Sequence, residues 1–216
     1  MKDLNKYLVL GVMTGTSMDG IDLSLIKTDG INYVKIIKEE NYSYSLKKQI
    51  KLKKIVENKP NNISKIYQYF QLYENQITKD VIKYIKKFFK RNKIKKIDII
   101  SLSGQTMYHN PDENITIQLG SGKTISEYFK VRVVTNFREK DISNGGEGAP
   151  IGSYYHKYLL NVINSRAVII NIGGVTNSSQ IKNRTLISTD IGPGNGIIDD
   201  LVYFFYKKKY DTNGYY

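Results

Sequence analysis

Short apolar runs rich in β-branched residues alternate with polar loops over the first forty residues, which predicts three consecutive strands. These runs are Leu8–Thr14, Ile21–Lys27 and Tyr33–Ile37. Between Ile63 and Phe89 the apolar residues recur at close to the helical period, which predicts a long helical region. The β-branched run Ile97–Leu102 is typical of a buried strand that leads into a polar, ligand-binding loop. The pattern therefore predicts an α/β fold.

The middle of the chain continues this alternation. Ile115–Leu119 and Val131–Thr135 are predicted to be short strands on either side of a helix near Thr124–Phe129. The glycine-rich stretch Asn144–Pro150 interrupts regular structure, and Ser153–Ile163 follows as a helix that is expected to link two lobes. We place the first lobe at residues 1–165 and the beginning of a second lobe at residues 166–216.

The loop between the first two predicted strands contains residues suited to binding phosphate. Thr14–Gly20 offers two glycines, three hydroxyls and a carboxylate, more than a tight turn requires. Backbone N–H groups freed by glycine, with hydroxyls beside them, form an anion-binding nest, and Asp19 or Asp22 can hold Mg²⁺ through oxygen. An ordinary polar hairpin loop is an equally good interpretation of the spacing alone.

A second segment repeats this arrangement. Ala167–Ile181 contains an apolar β-branched run, a loop of Asn, Gly, Gly and Thr, and another short run. Two related lobes, each presenting a phosphate-binding hairpin, would produce such a repeat. Chance is the alternative, because Gly-Gly between strands is common.

Five motifs occur in the order seen in anhydro-N-acetylmuramic acid kinases, and the chain is identified as resembling that family over nearly its whole length. The motifs are GVMTGTSMDGID (Gly11–Asp22), SLSGQT (Ser101–Thr106), GGEGAP (Gly145–Pro150), NIGGVTN (Asn171–Asn177) and DIGPGN (Asp190–Asn195). The family belongs to the actin, hexokinase and sugar kinase group. The resemblance implies a ribonuclease-H-like first lobe, followed here by the opening strands and one helix of a second, similar lobe.

The resemblance implies that Asp190 is the catalytic residue. In the family the matching aspartate is a general base that deprotonates a water molecule, which attacks the anomeric carbon and opens the 1,6-anhydro ring while O6 takes the γ-phosphate of ATP. In the sequence Asp190 follows the run Leu186–Thr189 and precedes glycines, so we expect it at a strand terminus just before a helix. The local residues alone also allow a helix N-cap.

The resemblance also implies the binding residues. Both hairpin loops would bind ATP with Mg²⁺ through Gly15, Thr16, Ser17, Met18, Asp19, Gly20, Ile21, Asp22, Asn171, Gly173 and Gly174, with Asp19 and Asp22 as metal ligands. The amino-sugar substrate would be bound by Ser103, Gln105, Lys140, Asp141, Gly192, Gly194 and Asn195.

The chain departs from the usual family motifs at several positions that bear on sugar recognition. Ser103 stands where the family usually has histidine, and Glu147 where it usually has glutamine. In the motif NFREKD, Asn136 and Lys140 replace an aspartate and an arginine, so one carboxylate and one guanidinium fork are lost.

Composition and charge indicate which binding partners and which cellular compartment to expect. The net charge of +13 suggests nucleic-acid binding, but only five of the 33 basic residues are arginine. The lysines cluster on predicted outer helix faces, so we expect no nucleic-acid partner. The chain has no cysteine, no 18-residue apolar run and no signal-peptide pattern, so a cytoplasmic protein without a membrane partner is expected.

The second lobe is shorter than the first, and two functions remain open for the polypeptide as it stands. We expect a truncated form of a kinase that acts in peptidoglycan recycling, because the half that binds adenosine is carried downstream in the family. The alternative is a non-catalytic remnant that binds a sugar or a partner chain. A homodimer or a complementing C-terminal chain is the expected protein partner.

Overall fold

The strands of the protein form two sheets, one in each of two units. A computed structural model describes residues 6–163 and 166–216. One unit extends to Gly146, and the other comprises Glu147–Tyr216. Among the described residues, no helix is both long and apolar enough to cross a membrane.

The sheet of the first unit has six strands in the order β3-β2-β1-β4-β5, with β6 also paired to β4. The strands β1, β2 and β3 are antiparallel neighbours, whereas β1 and β6 both run parallel to β4. Strand β5 returns antiparallel to the second half of β4. The strands are β1 (Tyr7–Thr14), β2 (Gly20–Thr28), β3 (Val34–Ser43), β4 (Ile99–Asn110), β5 (Ile115–Leu119) and β6 (Arg132–Val134).

Within residues 6–146, four α-helices and one 3₁₀ turn, Pro111–Glu113, connect these strands, and a fifth α-helix follows β6. Side-chain oxygens of Ser45, Asn62 and Ser121 accept hydrogen bonds from the first turns of three helices, which explains where those helices begin. The helices are α1 (Leu46–Glu57), α2 (Ile63–Gln71), α3 (Glu74–Asn92), α4 (Gly122–Phe129) and α5 (Phe137–Ser143).

The structure corrects several element boundaries predicted from the pattern. The third strand, expected at Tyr33–Ile37, extends to Ser43 because it pairs with β2 along its whole length. The expected helical region from Ile63 to Phe89 is interrupted at Leu72 and Tyr73, giving α2 and α3. The start of α3 is held by a distant contact, because the Glu74 carboxylate accepts a hydrogen bond from the Gly120 N–H at 3.2 Å. The strand expected to end at Leu102 continues to Asn110, because pairing with β5 satisfies the backbone of its polar second half.

The core of the first unit lies between the sheet and the helices α1 to α3. Leu10 and Val12 on β1 share a face with Leu23 and Leu25 on β2, and all four are at most 3% exposed. They belong to one cluster with fully buried Phe88 on α3. Burial of these side chains supplies the main stabilisation of the unit.

The second unit contains a three-stranded antiparallel sheet in the order β7-β8-β9. Helix α6 packs on this sheet, mainly against β8. The lobe boundary at 165/166 remains a prediction, although α6 belongs to this compact unit rather than to the first. The elements are α6 (Ser153–Ile163), β7 (Val168–Ile172), β8 (Val175–Lys182), β9 (Thr185–Pro193) and α7 (Asn195–Tyr206).

One face of β7 is uncovered. Val168, Ile170 and Ile172 alternate along this strand and are 53%, 59% and 62% exposed, whereas Leu10 and Val12 on the corresponding first strand of the other unit are buried. A row of exposed β-branched residues on an edge strand is a surface suited to further pairing.

The contrast between the two hairpins predicts different mutational costs. Leu10→Ala should destabilise the first unit by about 2–5 kcal/mol, because it creates a cavity in a closed core. Ile170→Ala, at a comparable place in the second hairpin, should change stability by only about 0.5 kcal/mol, since its side chain is already in water. Urea denaturation of both variants tests this, and equal losses would show that the two hairpins are equally covered.

The uncovered face also predicts self-association. Light scattering of the 216-residue chain should show a mass that rises with concentration, and Ile170→Lys should reduce that rise because lysine on an edge strand opposes strand pairing. Leu72→Lys is the matched control, since Leu72 is 77% exposed and lies in the first unit. A concentration-independent monomer would contradict the prediction.

Candidate functional site

Two glutamine side chains from neighbouring elements donate hydrogen bonds to the loop between β1 and β2. Gln105 on β4 donates a hydrogen bond from Nε2 to the Gly15 carbonyl at 2.8 Å. Gln49 on α1 donates from Nε2 to the Ser17 carbonyl at 3.1 Å. Parallel pairing of β1 with β4 sets Thr14 opposite Gln105, so the first contact follows from the register of the sheet.

Backbone geometry closes the loop tightly. Met18 adopts the left-handed region, with φ 54°, is 4% exposed, and donates its N–H to the Gly15 carbonyl at 3.1 Å. A Cβ on Gly20 would lie 2.8 Å from the Tyr42 carbonyl oxygen, so the return strand can approach β3 only with glycine there. The Tyr44 N–H also donates to the Asp19 carbonyl at 2.7 Å.

The outer part of the loop keeps polar groups available. Thr16 and Ser17 are exposed, and their backbone N–H groups form no hydrogen bond within the described residues. Beneath them, Thr14 Oγ1 and Gln105 Oε1 are buried without a hydrogen-bond partner. Buried polar atoms without partners are uncommon, and at a loop with spare N–H groups they are consistent with an anionic or hydroxyl-bearing ligand.

The two predicted metal ligands have separate partners. Asp19 accepts a hydrogen bond from Ser17 Oγ at 2.7 Å, whereas Asp22, on β2, accepts one from Asn41 Nδ2 at 2.6 Å. Across residues 6–163 and 166–216 there is no group of three or more His, Cys, Asp or Glu side chains that could hold a metal ion. A Mg²⁺ ion here would therefore take most of its ligands from phosphate and water, which is its usual behaviour at nucleotide sites.

The second hairpin loop is held by the start of helix α7 rather than by side chains. The N–H groups of Gly194 and Gly196 donate to the Gly174 carbonyl, at 2.9 and 3.3 Å, and the Asn195 N–H donates to the Gly173 carbonyl at 2.7 Å. A Cβ on Gly194 would overlap the Gly173 carbonyl. The predicted substrate residues Gly194 and Asn195 thus use their backbone N–H groups to bind the loop, and the exposed Asn195 side chain stays available to a ligand.

Asp190 lies within β9 and not at the strand terminus that the pattern predicted. The pairing with β8 shifts here, since Asn177 faces Asp190 but Thr176 faces Gly192, which leaves Ile191 as an extra residue. Such a bulge redirects the neighbouring side chains. The Asp190 side chain is exposed and has no hydrogen bond or ion pair in the part of the chain that the structure describes.

A row of polar side chains crosses the sheet at Asp190. In the pairing register Asn171 on β7 lies opposite Asn177 on β8, and Asn177 lies opposite Asp190, so all three share one face. Asn177 is 9% exposed, and its Oδ1 has no hydrogen-bond partner. The sequence patterns did not single out Asn177. Only its place at the end of the motif NIGGVTN marked it, and its burial depends on the tertiary structure.

The next row of the same face is fully bonded. His156 on α6 shares a hydrogen bond of 2.8 Å with Ser179 Oγ, and Ser179 shares one of 2.7 Å with Ser188 Oγ. Ser179 is completely buried. These two hydrogen bonds join α6 to the sheet, which is a structural role for His156.

The remaining predicted substrate residues occupy two places in the first unit. Ser103 lies inside β4, where its Oγ accepts a hydrogen bond from the Thr14 N–H at 3.4 Å. Lys140 and Asp141 lie on α5 and are exposed. The Asp141 carbonyl accepts the N–H groups of Asn144 and Gly146, and a side chain on Gly146 would overlap the Asp141 carboxylate. The glycines after α5 therefore fold back onto this helix.

Comparison with known proteins identifies the family. The family model described as anhydro-N-acetylmuramic acid kinase matches residues 7–216. The chain belongs to the anhydro-N-acetylmuramic acid kinase family. All five motifs and both hairpin loops lie within the matched range, as the resemblance implied.

Relatives that carry the family name are similar to almost the whole chain. A protein of Pelagibacter ubique is 36% identical over 96% of this chain, and one of Zymomonas mobilis is 34% identical over 96%. A protein of Bradyrhizobium diazoefficiens is 33% identical over 95%. The matched regions are 57%, 59% and 58% of those relatives' lengths, so the chain spans little more than half of a family member.

The hydrogen bonds from Gln49 and Gln105 to the first loop lead to a prediction about the mobility of that loop. Gln49→Met removes the hydrogen bond to Ser17 while keeping the length of the buried side chain, so hydrogen exchange at the Met18 amide should accelerate about fivefold to tenfold, as expected for one lost hydrogen bond. Lys47→Met on the same helix is the control. Unchanged exchange in Gln49→Met would show that Gln105 and the backbone hold the loop alone.

Proposed function

We propose that the protein takes part in the ATP-dependent hydrolytic opening and phosphorylation of 1,6-anhydro-N-acetylmuramic acid, the reaction implied by the family resemblance. The observation that carries the proposal is the exposed, unpartnered Asp190 carboxylate on a bulged strand beside a glycine-rich hairpin. A carboxylate with no partner in the fold is available to a reacting molecule.

The two hairpin loops bind the phosphates of ATP in this proposal. The spare N–H groups of Thr16 and Ser17 and the open space around Gly174 support this role. The ATP-binding residues are Gly15 through Asp22 in the first loop, and Asn171, Gly173 and Gly174 in the second. Asp19 or Asp22 would hold Mg²⁺, which when bound neutralises phosphate charge.

Asp190 acts as the general base. Its carboxylate removes a proton from water, the water oxygen bonds to the anomeric carbon, and the bond between that carbon and O6 breaks. O6 then bonds to the γ-phosphorus as the bond to ADP breaks. The products are the 6-phosphorylated open sugar and ADP. The proposed substrate contacts are Ser103, Gln105, Lys140, Asp141, Gly192, Gly194 and Asn195.

A second candidate function is binding without catalysis. The chain spans 57–59% of its relatives, and the apolar face of β7 is uncovered. Both observations are consistent with a chain that binds the sugar, or a complementing chain, and does not turn over by itself.

Activity of the 216-residue chain separates these candidates. Phosphoryl transfer requires the phosphates to be held by preorganised donors, so we expect the chain alone to show almost no turnover of 1,6-anhydro-N-acetylmuramic acid. Rates of about 1–100 s⁻¹, which are usual for kinases, would show that this length suffices for catalysis.

The role of Asp190 is tested in the chain completed with the remaining length of the Pelagibacter ubique relative. Asp190→Asn cannot accept the proton from water, so kcat should fall about 10²–10⁴-fold with little change in ATP affinity. Asp112→Asn, at an exposed position outside the site, is the control. Full turnover combined with weaker ATP binding in Asp190→Asn would instead identify a phosphate or metal ligand.

The phosphate role of the second loop has its own test. A Cβ on Gly174 would meet nothing within 4 Å, so Gly174→Val should leave the fold intact. It should nevertheless weaken ATP binding, because the branched side chain obstructs the close approach of phosphate to the backbone. Isothermal titration with ATP measures this, and an unchanged dissociation constant would contradict the assignment of this loop.

A further inference from the structure

Asn177 on β8 is a buried side chain that neither the fold nor the proposed reaction has yet used. It is 9% exposed, and its Oδ1 is buried without a hydrogen-bond partner. Its Nδ2 also forms no hydrogen bond with any residue that the structure describes. Buried polar groups without partners lower the stability of a fold. An amide at this position therefore indicates a role other than stabilising the sheet.

The next row on the same face of the sheet shows which side chains can reach each other. Ser179, two residues further along β8, lies opposite Ser188 on β9, and their Oγ atoms share a hydrogen bond of 2.7 Å. Side chains at opposite positions of these two strands are thus within hydrogen-bond reach. Asn177 and Asp190 form the neighbouring pair in the same register, and both have longer side chains than serine.

Asp190 offers the acceptor that the Asn177 amide lacks. Its carboxylate is exposed and has no hydrogen bond or ion pair among the described residues. Rotation of the Asn177 amide about its last side-chain bond exchanges Oδ1 and Nδ2, so the amide can present an N–H donor to either side. An N–H donor and an ionised carboxylate form a charge-assisted hydrogen bond. Each of the two groups can therefore supply the partner that the other is missing.

The far side of Asp190 is open. The pairing shifts directly after this residue, which leaves Ile191 extra, and a Cβ on Gly192 would meet nothing within 4 Å. A donor on β8 approaches the carboxylate from one side and leaves this open side to a ligand. Because a carboxylate has two oxygens, one can be held by an amide while the other accepts a proton.

We propose that Asn177 is a positioning residue for Asp190, whose carboxylate it holds through a hydrogen bond donated by Nδ2. This leaves the second carboxylate oxygen oriented toward the water that Asp190 deprotonates. The role rests on the proposed function, since Asn177 acts through the proposed base. An exposed aspartate adopts several rotamers, and only those within hydrogen-bond reach of the water are productive. Loss of the amide should therefore slow the chemical step without weakening the binding of ATP or sugar.

Asn177→Leu tests this role in the chain completed with the remaining length of the Pelagibacter ubique relative. Leucine has the same number and branching of side-chain heavy atoms as asparagine but cannot donate a hydrogen bond. The value of kcat should fall about 10–100-fold, the effect of losing one hydrogen bond to a charged group, with little change in KM for either substrate. The urea midpoint of the 216-residue Asn177→Leu chain should stay equal or rise, because an apolar group replaces an unpartnered buried amide.

Ser179→Ala is the matched control at the next position on the same face of β8. It removes a buried hydroxyl that has two partners, His156 and Ser188, so it should lower the urea midpoint and leave kcat unchanged. A purely structural role of Asn177 would produce this same result in Asn177→Leu. A lower urea midpoint with unchanged kcat in Asn177→Leu, or loss of folding, would therefore overturn the proposal.

A double variant separates the positioning role from the proposed function. In an Asp190→Asn background, Asn177→Leu should cause no further loss of kcat, because the effects of residues that act as a unit are not additive. A further loss there would show that Asn177 acts independently of Asp190, which would overturn the positioning role alone. Full kcat in Asn177→Leu beside a large loss in Asp190→Asn would have the same meaning. Full turnover in Asp190→Asn would overturn the proposed reaction, and the positioning role with it.

Discussion

The parallel pairing of β1 with β4 is the interaction on which the candidate site of the first unit depends. It brings together segments about ninety positions apart in sequence, as the contact from Gln105 to Gly15 shows. The same register sets Ser103 against the Thr14 N–H. The loop's own residues supply the hydrogen bonds from the Met18 N–H to the Gly15 carbonyl and from Ser17 Oγ to Asp19, and the pairing of β1 with β4 adds the contact from Gln105.

The two hairpin loops are alike in sequence but are stabilised by different means. In the first unit, glutamine side chains from α1 and β4 bind loop carbonyls. In the second, the backbone N–H groups at the start of α7 do so, which requires glycine at Gly194 because the chains approach so closely. Two loops of similar sequence are therefore held by different hydrogen-bond donors.

The lysine excess has a local explanation in the helices. The buried positions of α1 are Gln49, Leu52 and Ile55, so most lysines of that helix lie in water, as the pattern predicted. Lys48 is an exception, since it pairs with Asp80 at 2.9 Å and lies over the Tyr44 ring at 3.5 Å. Burial raises the pKa of the Tyr44 phenol beside that pair. Part of the positive charge thus helps to join α1 to α3.

The sequence by itself determined the α/β class, most strands, the two glycine hairpins and the family, because apolar periodicity and short motifs are local properties. It did not reveal the break between α2 and α3 or the full length of β4, since each depends on a partner distant in sequence, Gly120 for α3 and β5 for β4. The sequence also did not reveal the register shift between β8 and β9 beside Asp190, or the burial of Asn177 opposite it. Only the tertiary structure decides which polar atoms are buried without partners, because burial depends on every element that packs around a residue and not on its neighbours in sequence.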